Sequence, residues 1–129
     1  MGLCIKAVGC NTQMDMGYFS FASLRGDIAT HIGWRGGNPY CDELWPRFTS
    51  WLQRLVDNGL VSPGTVRFLT ASDCSGRLSP SSCKGMEQDI RGMENNTGYG
   101  YAWSRNRGID AFKRILRHCV ANNRCLTWG

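Results

Sequence analysis

The chain has 129 residues, 42% of them hydrophobic and 19% charged, which suits one domain with a real core and excludes a disordered chain. No apolar run approaches the roughly 18 residues that a membrane-spanning helix needs. The formal net charge is +5 and comes from the second half, because residues 1–64 hold five basic and five acidic groups while 65–129 hold ten and five.

In chain order, residues 3–8 alternate in a strand-like way and predict an opening strand. Met1-Gly2-Leu3-Cys4-Ile5-Lys6 has neither the basic region nor the long apolar core of a signal peptide, and Lys6 stands where N-myristoylation wants Ser or Thr. Residues 9–19 are polar and read as a loop or a short irregular strand. Ser20 is placed to cap a helix whose apolar positions are Phe21, Leu24, Ile28 and Ile32, with Gly33 as its stop. Gly33-Trp34-Arg35-Gly36-Gly37-Asn38-Pro39 is a loop. Asp42 is a candidate cap for a second helix, with Pro46 in its first turn and Leu44, Phe48, Trp51, Leu52, Leu55 and Val56 on its apolar face. Asn58-Gly59 ends it.

Ser62-Pro63-Gly64 reads as a turn into a second strand over 65–70. A tight polar turn follows, in which Asp73 closes an Asx-type turn, and then a helix over 80–95 with Ser79 as N-cap and Pro80 at its first position. Its buried stripe is Cys83, Met86, Ile90 and Met93, weakened at Gly85 and Gly92. Residues 99–103 alternate aromatic and small side chains, as a strand or an ordered loop does. Ile109, Phe112, Ile115, Leu116, Cys119 and Val120 line a last helix, closed by Asn122-Asn123, and residues 125–128 suit a short final strand. The order β-α-α-β-α-(β)-α-β predicts a single α+β domain over 1–129, with a small mixed sheet of about three to four strands against about four helices. Seven cysteines, an odd number, with no secretion signal favour reduced thiols and a cytoplasmic setting.

Several of these pieces together resemble a set of small bacterial and phage proteins. The matching segments are Met1-Gly2-Leu3, Phe21 to Arg25, Ser72-Asp73-Cys74-Ser75-Gly76 with Leu78-Ser79-Pro80, and Phe112 to Cys119. Ser75 stands where that set carries a second Asp. The resemblance implies an intracellular prokaryotic or phage setting and no settled activity.

Most catalytic and metal signatures fail on their residues. Read as a calcium loop, the central turn places Ala71 and Ser82 where carboxylates belong. Zinc lacks a Cys-x-x-Cys pair, and His31 and His118 lie far apart in sequence. Cys74 has no histidine placed beside it for nucleophilic chemistry. Glycoside hydrolysis needs two carboxylates across a cleft, and Glu43, Glu87 and Glu94 sit in no recognisable context. No cofactor and no catalytic residue is expected.

The pattern that does point to a partner is aromatic and basic together. Tyr99, Tyr101 and Trp103 precede Arg105 and Arg107, and Trp34-Arg35 with Tyr40 form a second group around a glycine-rich loop. Asp73 in the central turn, and Lys113 and Arg117 on the basic side of the last helix, complete the candidate set. Aromatic faces stack bases, and guanidinium groups pair with phosphates in bidentate fashion. The expected function is a non-enzymatic binding protein for an anionic ligand, a nucleotide or nucleotide immune signal, which in a phage would serve as an anti-defence sequestering protein. The alternatives are a protein–protein inhibitor whose basic helix docks on an acidic protein surface, or a small hydrolase or nuclease. No membrane partner is expected, and self-association into a homo-oligomer is left open.

Overall fold

A computed structural model describes residues 2–93 and 108–129. Four strands, β1 (Gly2–Ala7), β2 (Gln13–Gly17), β3 (Gly76–Leu78) and β4 (Leu126–Trp128), form one sheet in the order β2-β1-β4-β3. Five helices accompany them among the described residues: α1 (Tyr18–His31), α2 (Trp45–Asp57), α3 (Pro63–Thr70), α4 (Pro80–Asp89) and α5 (Gly108–Asn122). The α+β class holds. The sheet is antiparallel at every pairing rather than mixed, with Ile5 opposite Met14 on one side and Trp128 on the other, and Arg77 opposite Thr127.

Period-two burial fixes which face of the sheet meets the helices. Leu3, Ile5 and Ala7 of β1 and Leu126 and Trp128 of β4 are buried, while Lys6 is exposed. Phe21, Leu24 and Ile28 of α1, Phe48 and Leu52 of α2, Phe68 and Leu69 of α3, Cys83 and Met86 of α4, and Phe112, Leu116 and Cys119 of α5 complete one core.

The largest correction concerns residues 65–70, expected as a strand and found within α3. Ser62 is extended and its hydroxyl accepts from Thr65 N at 3.3 Å, and Pro63 occupies the first turn. This is the same Ser-Pro opening that starts α4, where Ser79 accepts from Ser82 N at 3.2 Å. The helix buries Thr65, Phe68 and Leu69 on one face. α3 and α4 cross closely because each presents a glycine to the other's cap region. A Cβ on Gly64 would collide with the Ser82 carbonyl, and one on Gly85 would lie 2.6 Å from Ser62 Cβ. Gly64 and Gly85 therefore set the interhelical distance, while Gly92 has no part in this crossing.

Four boundaries also differ from expectation. The 9–19 region contains a regular strand, β2, which runs directly into α1, so that helix starts at Tyr18 on an extended Gly17 and takes no cap from Ser20. Asp42 does not cap α2. A turn with Leu44 N and Trp45 N bonded to Cys41 O leads in, and Leu44 is the N-cap. α4 ends at Asp89 rather than near 95, with Met93 N folding back to Ile90 O at 3.0 Å, yet Cys83, Met86, Ile90 and Met93 are all buried as the stripe requires. The turn at 72–74 is closed by Ser72, whose hydroxyl accepts from Cys74 N at 3.0 Å, and not by Asp73.

Asp89 explains the early end of α4. Its Oδ2 accepts from Ser62 N at 2.9 Å and from the Thr65 hydroxyl, tying the end of α4 to the N-terminus of α3, where a carboxylate also complements the helix dipole. Asp89→Ala leaves both donors without that acceptor. It should lower the free energy of urea unfolding by about 2 kcal/mol, read from the denaturation midpoint at unchanged slope.

Candidate functional site

Arg47, Ser50, Trp51 and Arg54 are spaced three, four and seven residues apart, so helical periodicity places them on one face of α2. That face meets the loop after α1. Gly33 takes φ +118°, which turns the chain sharply, and Trp34 N bonds to Ala29 O at 2.9 Å. The Trp34 ring then packs on Phe48 at 5.0 Å and Trp51 at 5.3 Å between centroids. Its indole N–H donates to Gly37 O at 2.7 Å, which closes the loop over the ring. Gly36 crosses the indole so closely that a Cβ there would lie 2.5 Å from a ring carbon.

The result is an open groove of about 720 Å³ between the loop and α2, lined by Trp34, Arg35, Arg47, Ser50, Trp51 and Arg54 among others. Three guanidinium groups border it, and no carboxylate does among the described residues. Arg35 spends one nitrogen on Thr30 O and Trp34 O, at 2.8 and 2.9 Å, which anchors the side chain and leaves its other donors facing outward. Arg47 and Arg54 are exposed and make no side-chain hydrogen bond or ion pair among the described residues. A region with three cations, one of them anchored, a half-buried indole and a hydroxyl is chemically suited to phosphate oxygens beside a flat aromatic group.

The candidate residues read from the sequence do not converge on one place. Trp34 and Arg35 lie in the groove. Tyr40 and Asp73 instead line a second cleft of about 380 Å³, together with Arg25, Asp42 and Trp45. Arg25 is nearly fully buried there, with its guanidinium over the Phe21 ring at 4.9 Å and the Tyr40 ring at 4.5 Å. Its Nη1 donates to Phe68 O and Ala71 O, so this cation closes the end of α3. Lys113 is also in structural use, donating to Arg91 O and Met93 O at 2.8 and 2.9 Å and so holding the turn after α4. Arg117 is exposed on α5 with Arg114. Tyr99, Tyr101, Trp103, Arg105 and Arg107 lie outside the described residues. Arg47, Trp51 and Arg54 were not anticipated as site residues, although their i, i+4, i+7 spacing was visible once α2 was assigned.

Tyr40 gives the second cleft a measurable signature. Its hydroxyl donates to Leu69 O at 2.9 Å, and burial pushes its pKa well above the ordinary 10.0, with Arg25 opposing. In the unfolded chain the phenol ionises near 10.0, while in the fold it keeps its proton. Stability is therefore full below pH about 10 and falls as pH rises above it. Melting temperatures taken across pH 8–11 should decline more steeply for the wild type than for Tyr40→Phe, which has no phenol to ionise.

The Cys74 thiol lies 3.5 Å from Asp73 Oδ1 and donates to it. Among the described residues, no group of three or more His, Cys, Asp or Glu side chains is arranged to hold a metal ion, and no helix is long and apolar enough to cross a membrane. No protein-family model, curated protein or solved structure matches the chain.

Proposed function

We propose that this protein binds an anionic ligand, a nucleotide, in the groove between α2 and the loop after α1, without transforming it. The observation that carries the reading is the grouping of Arg35, Arg47 and Arg54 around the Trp34–Trp51 pair with no bordering carboxylate among the described residues. Three cations held at one concave surface repel one another and raise the local potential. A phosphate relieves that repulsion while the exposed indole surface of Trp51 receives the base. The resemblance in sequence supports a prokaryotic or phage cytoplasm as the setting, where such a protein would sequester a nucleotide immune signal.

The test is thermal stability against a panel of mono-, di- and cyclic nucleotides, with bound material released and weighed by mass spectrometry. A ligand at 100 times its dissociation constant adds about 2.7 kcal/mol of stability. A shift that weakens with added salt, with intact nucleotide recovered, is the expected result. Recovery of a chemically altered nucleotide would make the protein an enzyme, and no shift with any nucleotide would remove the reading. The exposure of Arg114 and Arg117 on α5 supports a second reading, docking of that helix on an acidic protein surface. It predicts no nucleotide-induced shift.

A further inference from the structure

Arg25 carries a charge that its surroundings do not balance. The residue is 4% exposed, and no carboxylate among the described residues lies within ion-pair distance of it. A guanidinium keeps its proton in any protein, so the charge cannot be shed. The rings of Phe21 and Tyr40 cover the guanidinium, and Nη1 spends its two hydrogens on Phe68 O and Ala71 O. Nε is buried without a hydrogen-bond partner, and Nη2 makes no hydrogen bond among the described residues. What remains is the Nε–Nη2 edge, which a carboxylate meets in bidentate fashion. Arg25 is part of the wall of the second cleft, so an anion entering there would balance it.

The same cleft also asks for a cation. Asp42 and Asp73 line it, both exposed and neither in an ion pair among the described residues. Asp73 accepts only the weak thiol donor of Cys74 at 3.5 Å. Tyr40 and Trp45, with ring centroids 5.8 Å apart, add aromatic surface that favours an ammonium group. One unspent guanidinium edge and two unpaired carboxylates in about 380 Å³ fit a small ligand of both signs. Ala22 belongs both to this cleft and to an adjoining, mainly apolar cavity of about 240 Å³, whose lining includes Gly26, Thr30 and Pro39. A Cβ built on Gly26 meets nothing within 4 Å, so the space beside it is open. We propose that the second cleft binds a free α-amino acid with an apolar side chain. Its carboxylate pairs with Arg25, its ammonium with Asp42 and Asp73, and its side chain enters the cavity beside Gly26. None of these residues belongs to the arginine groove.

The experiment measures the melting temperature of the native protein against each common L-amino acid, then titrates those that raise it. Leucine or methionine near 100 times its dissociation constant should raise it by about 5 °C or more. Arg25 is tied to α3, so its part is read from the ligand rather than from a variant. N-acetyl-leucine lacks the ammonium and 3-methylbutylamine lacks the carboxylate, and each should bind at least about 10-fold more weakly than leucine. Asp42→Asn with Asp73→Asn changes only exposed groups and should weaken leucine by a similar factor. Gly26→Leu fills the cavity and should abolish leucine binding while alanine still binds. Arg47→Ala with Arg54→Ala should leave leucine binding unchanged, which keeps this result separate from the nucleotide reading. No shift with any amino acid would overturn the proposal. So would N-acetyl-leucine binding as tightly as leucine, or leucine affinity unchanged in Gly26→Leu or in the double asparagine variant.

Discussion

Replacing Phe68 with Ala is expected to cost about 4 kcal/mol of folding stability, the largest loss of any single truncation considered. Phe68 is fully buried, and its ring lies 5.6 Å from Phe21, 5.3 Å from Phe112 and 5.1 Å from Trp128 between centroids. Those partners come from α1, α5 and β4, so one side chain joins four elements of the core. Edge-on contacts to Phe21 and Trp128 add to the area term. The ring is also hard to replace by relaxation, because the backbone that carries it is clamped. Arg25 holds Phe68 O and Ala71 O, and Gly64 seats the start of α3 against α4. A cavity there stays open, which places the cost in the upper part of the range for aromatic truncation. Against a total stability of roughly 5–15 kcal/mol, the variant should melt on the order of 15 °C lower. Phe68→Leu keeps most of the volume and should retain most of the stability. A loss under about 1 kcal/mol for Phe68→Ala would show that α3 is not the centre of this core.

Phe68 also shows where sequence reasoning succeeds and where it stops. That it is buried was legible from its type; that it is helical was misread. T-V-R-F-L-T looks like a strand because β-branched and aromatic residues dominate it, and intrinsic preference over so few residues is weak. The stronger signal was Ser62-Pro63, which opens α3 by the same capping that Ser79-Pro80 gives α4. Strand β2 was faint for a different reason. It is a sheet edge whose alternation is carried by Met14 and Met16, and methionine has little strand preference. The boundary at Asp89 was invisible, since its cause is a carboxylate reaching Ser62 and Thr65 in another helix.

The groove was half legible in the same sense. Trp34-Arg35 in a glycine-rich loop signalled an aromatic and basic site, and glycine at positions 33 and 36 proved necessary for the turn and for the close crossing of the indole. Trp51 was assigned to the apolar face of α2 and is half-buried there, one side on Trp34 and Phe48 and the other on the groove. Nothing in the order of residues brings α2 beside that loop. Only tertiary packing does so, and it turns two exposed arginines on a helix face into neighbours of a third.

Those two arginines carry the functional prediction with the largest effect. Arg47→Ala with Arg54→Ala should weaken nucleotide binding at least about 100-fold, since each charge-assisted bond to a phosphate is worth roughly 1.5–3 kcal/mol. The fold should be almost untouched, within about 0.5 kcal/mol, because both side chains are exposed and free of ion pairs among the described residues. That combination separates a binding role from a structural one. Lysines at both positions keep the charge but lose the planar fork, so they should recover the attraction and only part of the affinity. The salt dependence should flatten in the alanine variant and persist in the lysine variant, because screening acts on charge and not on geometry. Arg114→Ala with Arg117→Ala removes the same charge from α5 and should leave binding as it was. If that pair instead abolishes binding while the α2 pair does not, the ligand belongs to α5 and the groove is a packing feature. Equal, small losses from both pairs would mean that net charge alone attracts the nucleotide, with no built site.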